Sequence, residues 1–128
     1  MIIQLHAVSA LAAFFVGLGL LLLTKGNRRH RVAGRVFVGL MVLVAISAIF
    51  IQELSDGRFS WVHVLVPVTL VSLWRAVSAI RRFQRFGDRA DLQRHRGIMI
   101  SLFFGALVVA GLFTLMPGRT LHTLIFLN

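Results

Sequence analysis

Long apolar stretches alternate along the chain with short stretches rich in arginine. Four apolar stretches are long enough to be interpreted as membrane spans, and they cover residues 2–24, 33–52, 61–80 and 98–116. A helix needs about 20 largely apolar residues to cross the hydrocarbon core of a bilayer. Pro117 and Gly118 end the fourth stretch, and such a pair terminates helices. The tail at residues 119–128 is too short to cross, and we expect it to lie along the membrane interface.

The order of these stretches predicts the fold class. Residues 1–128 form a single membrane domain, an all-α four-transmembrane-helix bundle from two tandem helical hairpins. Hydrophobic residues make up 58% of the chain and charged residues 14%, against about 45–50% and about 25% in soluble domains. A soluble domain of this size has too little interior to bury so much apolar surface. The composition therefore excludes both a soluble globular protein and a disordered one.

The positive charge is concentrated in two parts of the chain. All 14 basic residues except Arg58 and Arg119 fall within residues 25–35 and 75–96, and the net charge is +10. Such blocks beside apolar spans mark cytoplasmic loops, and they face anionic lipid headgroups. We therefore expect a multi-pass protein of the bacterial inner membrane, with both termini and residues 52–60 outside. No soluble face remains for nucleic acid.

The two hairpins carry histidines at corresponding places. His6 and His63 lie near the beginning of the first and third spans, and His30 and His95 stand within Arg-His-Arg just before the second and fourth. This pattern suggests a parallel repeat about an axis along the membrane normal, although arginine-rich loops also produce such tripeptides by chance. If the repeat is real, each face of the membrane has one histidine pair.

These pairs lead to three functional hypotheses. The most specific is an electron-transfer protein in which His6 with His63, and His30 with His95, bind b-type haem. Imidazole is a suitable axial ligand of haem iron, and helical bundles hold cofactors between facing helices. Neighbouring arginines could pair with the haem propionates. This hypothesis implies a membrane redox partner or a larger complex.

The second hypothesis is a metal site at the outer face, made by His6, His63 and His122. Three imidazoles with one open position suit zinc or copper. The third is a non-enzymatic accessory subunit or small-solute carrier without a cofactor. In that case the histidines make local hydrogen bonds or lie among headgroups.

Acid–base and thiol chemistry find little support in the sequence. Cysteine is absent, which excludes disulfides, thiolate sites and covalently attached c-type haem. The chain has four carboxylates, Glu53, Asp56, Asp88 and Asp91, and none of them lies within a span. We expect Asp88 and Asp91 to pair with nearby arginines. No catalytic residue is therefore predicted.

Some polar and small residues inside the spans indicate how the helices pack. His6 shares a helical stripe with Ser9, Ala13 and Gly17, and small residues at such spacing allow membrane helices to approach closely. We expect His6 to point into the bundle for this reason. Arg75 is interpreted as the inner boundary of the third span, with its side chain reaching the headgroups. The fourth span is expected to make helix contacts through Ser101, Gly105, Ala106 and Ala110.

The order of certain histidine, glycine, basic and apolar residues along the chain resembles that of a known family. The residues that carry the resemblance are, in order, His6, Lys25, Gly26, His30, Arg31, Gly34, Arg35, Phe37, Met41, His63, Arg94, His95, Met99, Pro117, Gly118 and Arg119. In this order they are similar to a family of small bacterial four-span predicted membrane proteins, a domain of unknown function. The resemblance covers nearly the whole chain and implies the four-span topology, without an activity. A looser similarity, to cytochrome b-type four-helix diheme membrane proteins, rests on the bundle and the placement of the histidines.

Overall fold

The structure is a computed structural model that describes residues 1–54, 61–109 and 111. These residues are almost entirely helical, and no strand occurs among them. The elements are α1 (Ile2–Leu22), α2 (Arg28–Leu54), α3 (Trp61–Phe86) and α4 (Arg89–Leu102), followed by a π-helical segment (Phe103–Val109). The predicted all-α class is confirmed.

The last three helices reach well into the arginine-rich stretches beyond the predicted spans. Arginine is a good helix former, so a helix that leaves the apolar region need not end there. Capping side chains set the actual starts. The Asn27 side-chain oxygen accepts the His30 backbone N–H at 2.8 Å at the start of α2. The Asp88 carboxylate accepts the Ala90 N–H at 3.0 Å at the start of α4.

Two short connections create the hairpins. Gly26, between α1 and α2, has φ 87°, and Gly87, between α3 and α4, has φ 72°. L side chains rarely adopt this left-handed region, whereas glycine enters it readily. The Gly87 N–H also donates to the Phe83 carbonyl at 2.7 Å, which closes the last turn of α3. Each glycine thus allows the chain to reverse direction within a few residues.

Three helices are long and apolar enough to cross a membrane. The qualifying segments among the described residues are Ile2–Leu22, Arg28–Phe50 and Val64–Phe86. Many of their large apolar side chains are exposed on the outside of the bundle, among them Leu11, Phe15, Val68 and Val71. Exposed apolar surface of this extent suits contact with lipid rather than water. The predicted fourth span, residues 98–116, runs past the described part of the chain.

The helices pack as two adjacent hairpins. Contacts are most extensive between α1 and α2 and between α3 and α4, α2 joins the hairpins by packing on α3, and the π-helical segment lies against α1. The core where they meet consists of Ala13, Phe37, Met41, Leu73, Leu102, Phe103 and Leu107. At its centre the rings of Phe37 and Phe103 lie so close to Gly17 that a Cβ there would come within 3 Å of both.

The small residues expected at helix contacts are buried in α1 but not at the end of α4 and in the π-helical segment that follows it. Ser9, Ala13 and Gly17 are the buried residues of α1, as their spacing predicts. The expectation for Ser101 and Gly105 is wrong, because both are exposed. The neighbouring Leu102, Phe103 and Leu107 face inward instead, since the surface left open by Gly17 accommodates a phenyl ring. Burial of large apolar side chains thereby decides the orientation of this segment. Ala106 is half-buried, and the side chain of Ala110 lies outside the described residues.

Candidate functional site

His6 is joined to α2 by its Nδ1 atom. This nitrogen lies 2.8 Å from the Ser47 Oγ and 3.1 Å from the Val44 carbonyl oxygen. The Ser47 hydroxyl donates its own proton to that same carbonyl at 3.0 Å. Both oxygens can therefore only accept from the imidazole, so Nδ1 carries the hydrogen. In a neutral ring the Nε2 atom then holds the lone pair that could bind a metal or haem iron.

His95 is oriented in the same way within the second hairpin. Its Nδ1 lies 2.8 Å from the backbone carbonyl oxygen of Ala76, a fully buried residue of α3. A carbonyl only accepts, so Nδ1 donates and Nε2 of the neutral ring is again the atom with the lone pair. A backbone carbonyl in this position is a common support of metal-bound histidine, because it determines both tautomer and ring orientation.

His30 has a buried ring nitrogen without a partner. Its Nδ1 is enclosed and makes no hydrogen bond among the described residues, although its backbone N–H is capped by Asn27. A buried polar atom without a partner is unfavourable and calls for an explanation. The imidazole of His30 is also within electrostatic range of His95 and Lys25.

One predicted pair, His30 and His95, lies within electrostatic range in the structure. They come from different hairpins, His30 at the start of α2 and His95 in the middle of α4, and both stand within arginine-rich stretches of the chain. His6 lies at the opposite end of α2 from His30, because its partner Ser47 is near the end of that helix. His63 belongs to the first turn of α3, but its side chain lies outside the described part. The predicted outer pair stays a prediction.

The hypothesis of a three-histidine metal site depends on residues at the end of the chain. His122 lies outside the described residues. Within residues 1–54, 61–109 and 111, no group of three or more histidine or acidic side chains could hold a metal ion. The zinc or copper alternative at His6, His63 and His122 stays a prediction.

Ion pairs at the basic end differ in part from the sequence expectation. Asp91 pairs with two arginines, at 3.2 Å from Arg94 Nη1 and 3.7 Å from Arg82 Nε. Asp88 instead caps α4 through Ala90 and forms no ion pair with a described residue. A carboxylate at a helix start accepts free backbone N–H groups, which explains why Asp88 takes this role.

Sequence reasoning missed the groups that hold the histidines. Ser47 is a polar residue within an apolar span, which is a signal that it needs a partner in the bundle. Asn27 precedes α2 as a typical capping residue. The Ala76 carbonyl offers no such signal, because every residue has a carbonyl and only the approach of α4 selects this one.

Together these features define a helical membrane protein with histidines held at both ends of a bundle. The chain belongs to the family described as Predicted membrane protein (DUF2306), whose model matches residues 3–126. This match confirms the resemblance found in the sequence. No curated protein and no solved structure matches the chain. The family description places the protein in a membrane and names no activity.

Proposed function

We propose that this protein transfers electrons in the bacterial inner membrane through a b-type haem held between His30 and His95. The observation that supports the proposal is that these two imidazoles, from different hairpins, lie within electrostatic range of each other. Bis-histidine haem sites in helical bundles use ligands from facing helices. When bound, the haem supplies reversible one-electron chemistry.

The state of each ring fits a ligand role. His95 donates its Nδ1 hydrogen to the Ala76 carbonyl, which leaves Nε2 as the ligating atom. The His30 ring has a buried nitrogen without a partner among the described residues. A bound group that ligates this nitrogen or accepts its hydrogen would remove this unfavourable state.

Positive charge near the pair suits the carboxylates of haem. Lys25 is within electrostatic range of His30, and Arg94 directly precedes His95. These cations could form charge-assisted hydrogen bonds with the two propionates. The core around Gly17 is closely packed, so we place the group at the basic end, outside this core.

A second haem between His6 and His63 would extend the path across the membrane. His6 supports this part of the proposal, because its Nδ1 hydrogen is held by α2 and its Nε2 has no hydrogen-bond partner among the described residues. The proposed orientation has both basic loops in the cytoplasm and both termini outside. Electrons would then pass between an outer and an inner redox partner.

A visible spectrum of the purified protein tests the proposal. The full chain is expressed with added haem precursor, purified in detergent, and measured before and after reduction with dithionite. We expect a Soret band and sharp reduced bands, and His95→Ala or His30→Ala should remove the signal of the inner haem. His122→Ala is the matched control, because this histidine belongs to neither pair, and it should leave the spectrum unchanged.

A colourless protein would refute the haem assignment. Elemental analysis of the same sample would then test zinc and copper at His6, His63 and His122. A sample without metal above background would favour the accessory subunit or solute carrier.

A further inference from the structure

A pocket rich in arginine lies between the two helices of the second hairpin. It measures about 390 Å³ and is lined by Trp74, Arg75, Ser78 and Arg82 of α3 and by Arg94 of α4. Arg75, Ser78 and Arg82 follow each other at steps of three and four residues, so they lie along one face of α3. Arg94 reaches the same space from the neighbouring helix.

The charge of this pocket is only partly neutralised by the one carboxylate that pairs with its arginines. The Asp91 carboxylate, 13% exposed, lies 3.7 Å from Arg82 Nε and 3.2 Å from Arg94 Nη1. Arg75 has no carboxylate within ion-pair distance among the described residues. Two of the three guanidinium groups therefore share one carboxylate, and the third has none among the described residues. The pocket keeps a positive charge and several N–H donors, which suits a phosphate group.

The same face of α3 changes from basic to apolar along the helix axis. Val64, Val68 and Val71 continue the stripe of Arg75 toward the start of α3, and all three valines are exposed. Trp74 is 71% exposed at the boundary between the two parts. Tryptophan favours the level of the headgroups in a membrane, because its ring is apolar and its N–H is polar.

We propose that this pocket binds the phosphate headgroup of an anionic phospholipid, with an acyl chain along the valine stripe. A free phosphate ion would use the arginines but gain nothing from Val64, Val68 and Val71. A phospholipid uses both parts of the face at once, and basic pockets between transmembrane helices are suited to anionic headgroups. The inference does not depend on haem binding.

Fluorescence of Trp74 provides the test. The chain has two tryptophans, so Trp61→Phe leaves Trp74 as the only reporter. The full-length variant is reconstituted into phosphatidylcholine vesicles containing either brominated phosphatidylglycerol or brominated phosphatidylcholine. We expect stronger quenching by the anionic lipid at equal mole fraction. Arg75→Gln should lower the relative association constant of phosphatidylglycerol about fivefold, and Arg75→Gln with Arg94→Gln about 25-fold.

Controls separate this site from general charge attraction. Arg28→Gln with Arg29→Gln removes the same charge from exposed positions of the first hairpin and should change the preference less than twofold if charge acts locally. Arg75→Lys should retain most of the preference, and its folding can be checked by circular dichroism. Inorganic phosphate at matched ionic strength should not displace the lipid.

Three results would overturn the proposal. The first is equal quenching of Trp74 by the two brominated lipids. The second is a loss of preference in the Arg28→Gln, Arg29→Gln control as large as in the Arg75→Gln, Arg94→Gln variant. The third is displacement of the lipid by free phosphate. The last result would identify a soluble anion as the ligand.

Discussion

The Nδ1 of His6 lies 2.8 Å from the Oγ of Ser47, and this contact joins the start of α1 to the far part of α2. The Ser47 hydroxyl in turn donates to the Val44 carbonyl. Three polar groups thus satisfy each other inside an apolar bundle, where an unpaired polar group would be costly. The contact holds the first hairpin together at the end opposite its connection.

The first prediction concerns the strength of this contact. His6→Ala and Ser47→Ala should each destabilise the protein, and the double variant should be more stable than the sum of the two effects implies. We expect a coupling energy of about 0.6 kcal/mol and at most about 1.7 kcal/mol, the average and the maximum measured for side-chain hydrogen bonds between membrane helices. The free energy of unfolding of the four proteins in mixed micelles gives this value. Strict additivity would show that the hydrogen bond contributes no stability.

The second prediction concerns the close approach at Gly17. A Cβ at this position would lie 2.6 Å from Phe103 Cδ2 and 2.9 Å from Phe37 Cε2. Gly17→Ala should therefore destabilise the bundle by about 1–3 kcal/mol, as overpacking does in other cores. The measurement is the free energy of unfolding in mixed micelles. Gly17→Ala with Phe103→Leu should recover part of the loss, because the smaller side chain leaves room.

Gly19 offers a matched control on the same helix. A Cβ there meets no atom within 4 Å, and alanine has the higher helix propensity. Gly19→Ala should be neutral or slightly stabilising. A similar loss in Gly17→Ala and Gly19→Ala would contradict the packing argument.

The third prediction concerns the cap that begins α2 beside His30. Asn27→Ala removes the acceptor of the His30 N–H and should lower the free energy of unfolding by about 1 kcal/mol. Asn27→Asp keeps an acceptor and should stay close to the wild type. Thermal unfolding followed by circular dichroism measures both. Equal stability of Asn27→Ala and the wild type would mean that the cap is not needed.

The fourth prediction tests the proposed orientation. The chain contains no cysteine, so single cysteines can be introduced without a background reaction. Arg29→Cys and Arg89→Cys, at exposed positions at the starts of α2 and α4, should react with a membrane-impermeant maleimide only after the inner membrane is opened. Arg58→Cys, between α2 and α3, should react in intact spheroplasts. The reverse pattern would invert the topology.

The sequence alone predicted much of the architecture. Apolar stretches of membrane length, interrupted by arginine-rich stretches, were sufficient for an all-helical bundle, because burial in lipid depends on composition rather than on a particular partner. Helical spacing correctly assigned His6 to the interior together with Ser9, Ala13 and Gly17. The repeated Arg-His-Arg led to the proposed pairing of His30 with His95. The two imidazoles lie within electrostatic range of each other, and their joint role as ligands stays a prediction.

Tertiary contacts decided the rest. Only the approach of α4 to α3 selects the Ala76 carbonyl as the partner of His95, and only the space at Gly17 turns Phe103 inward and leaves Ser101 exposed. Local pattern describes how polar and apolar residues are distributed around one helix. It contains no information on which surface of another helix fits against it, since that depends on the shapes of side chains far apart in the chain.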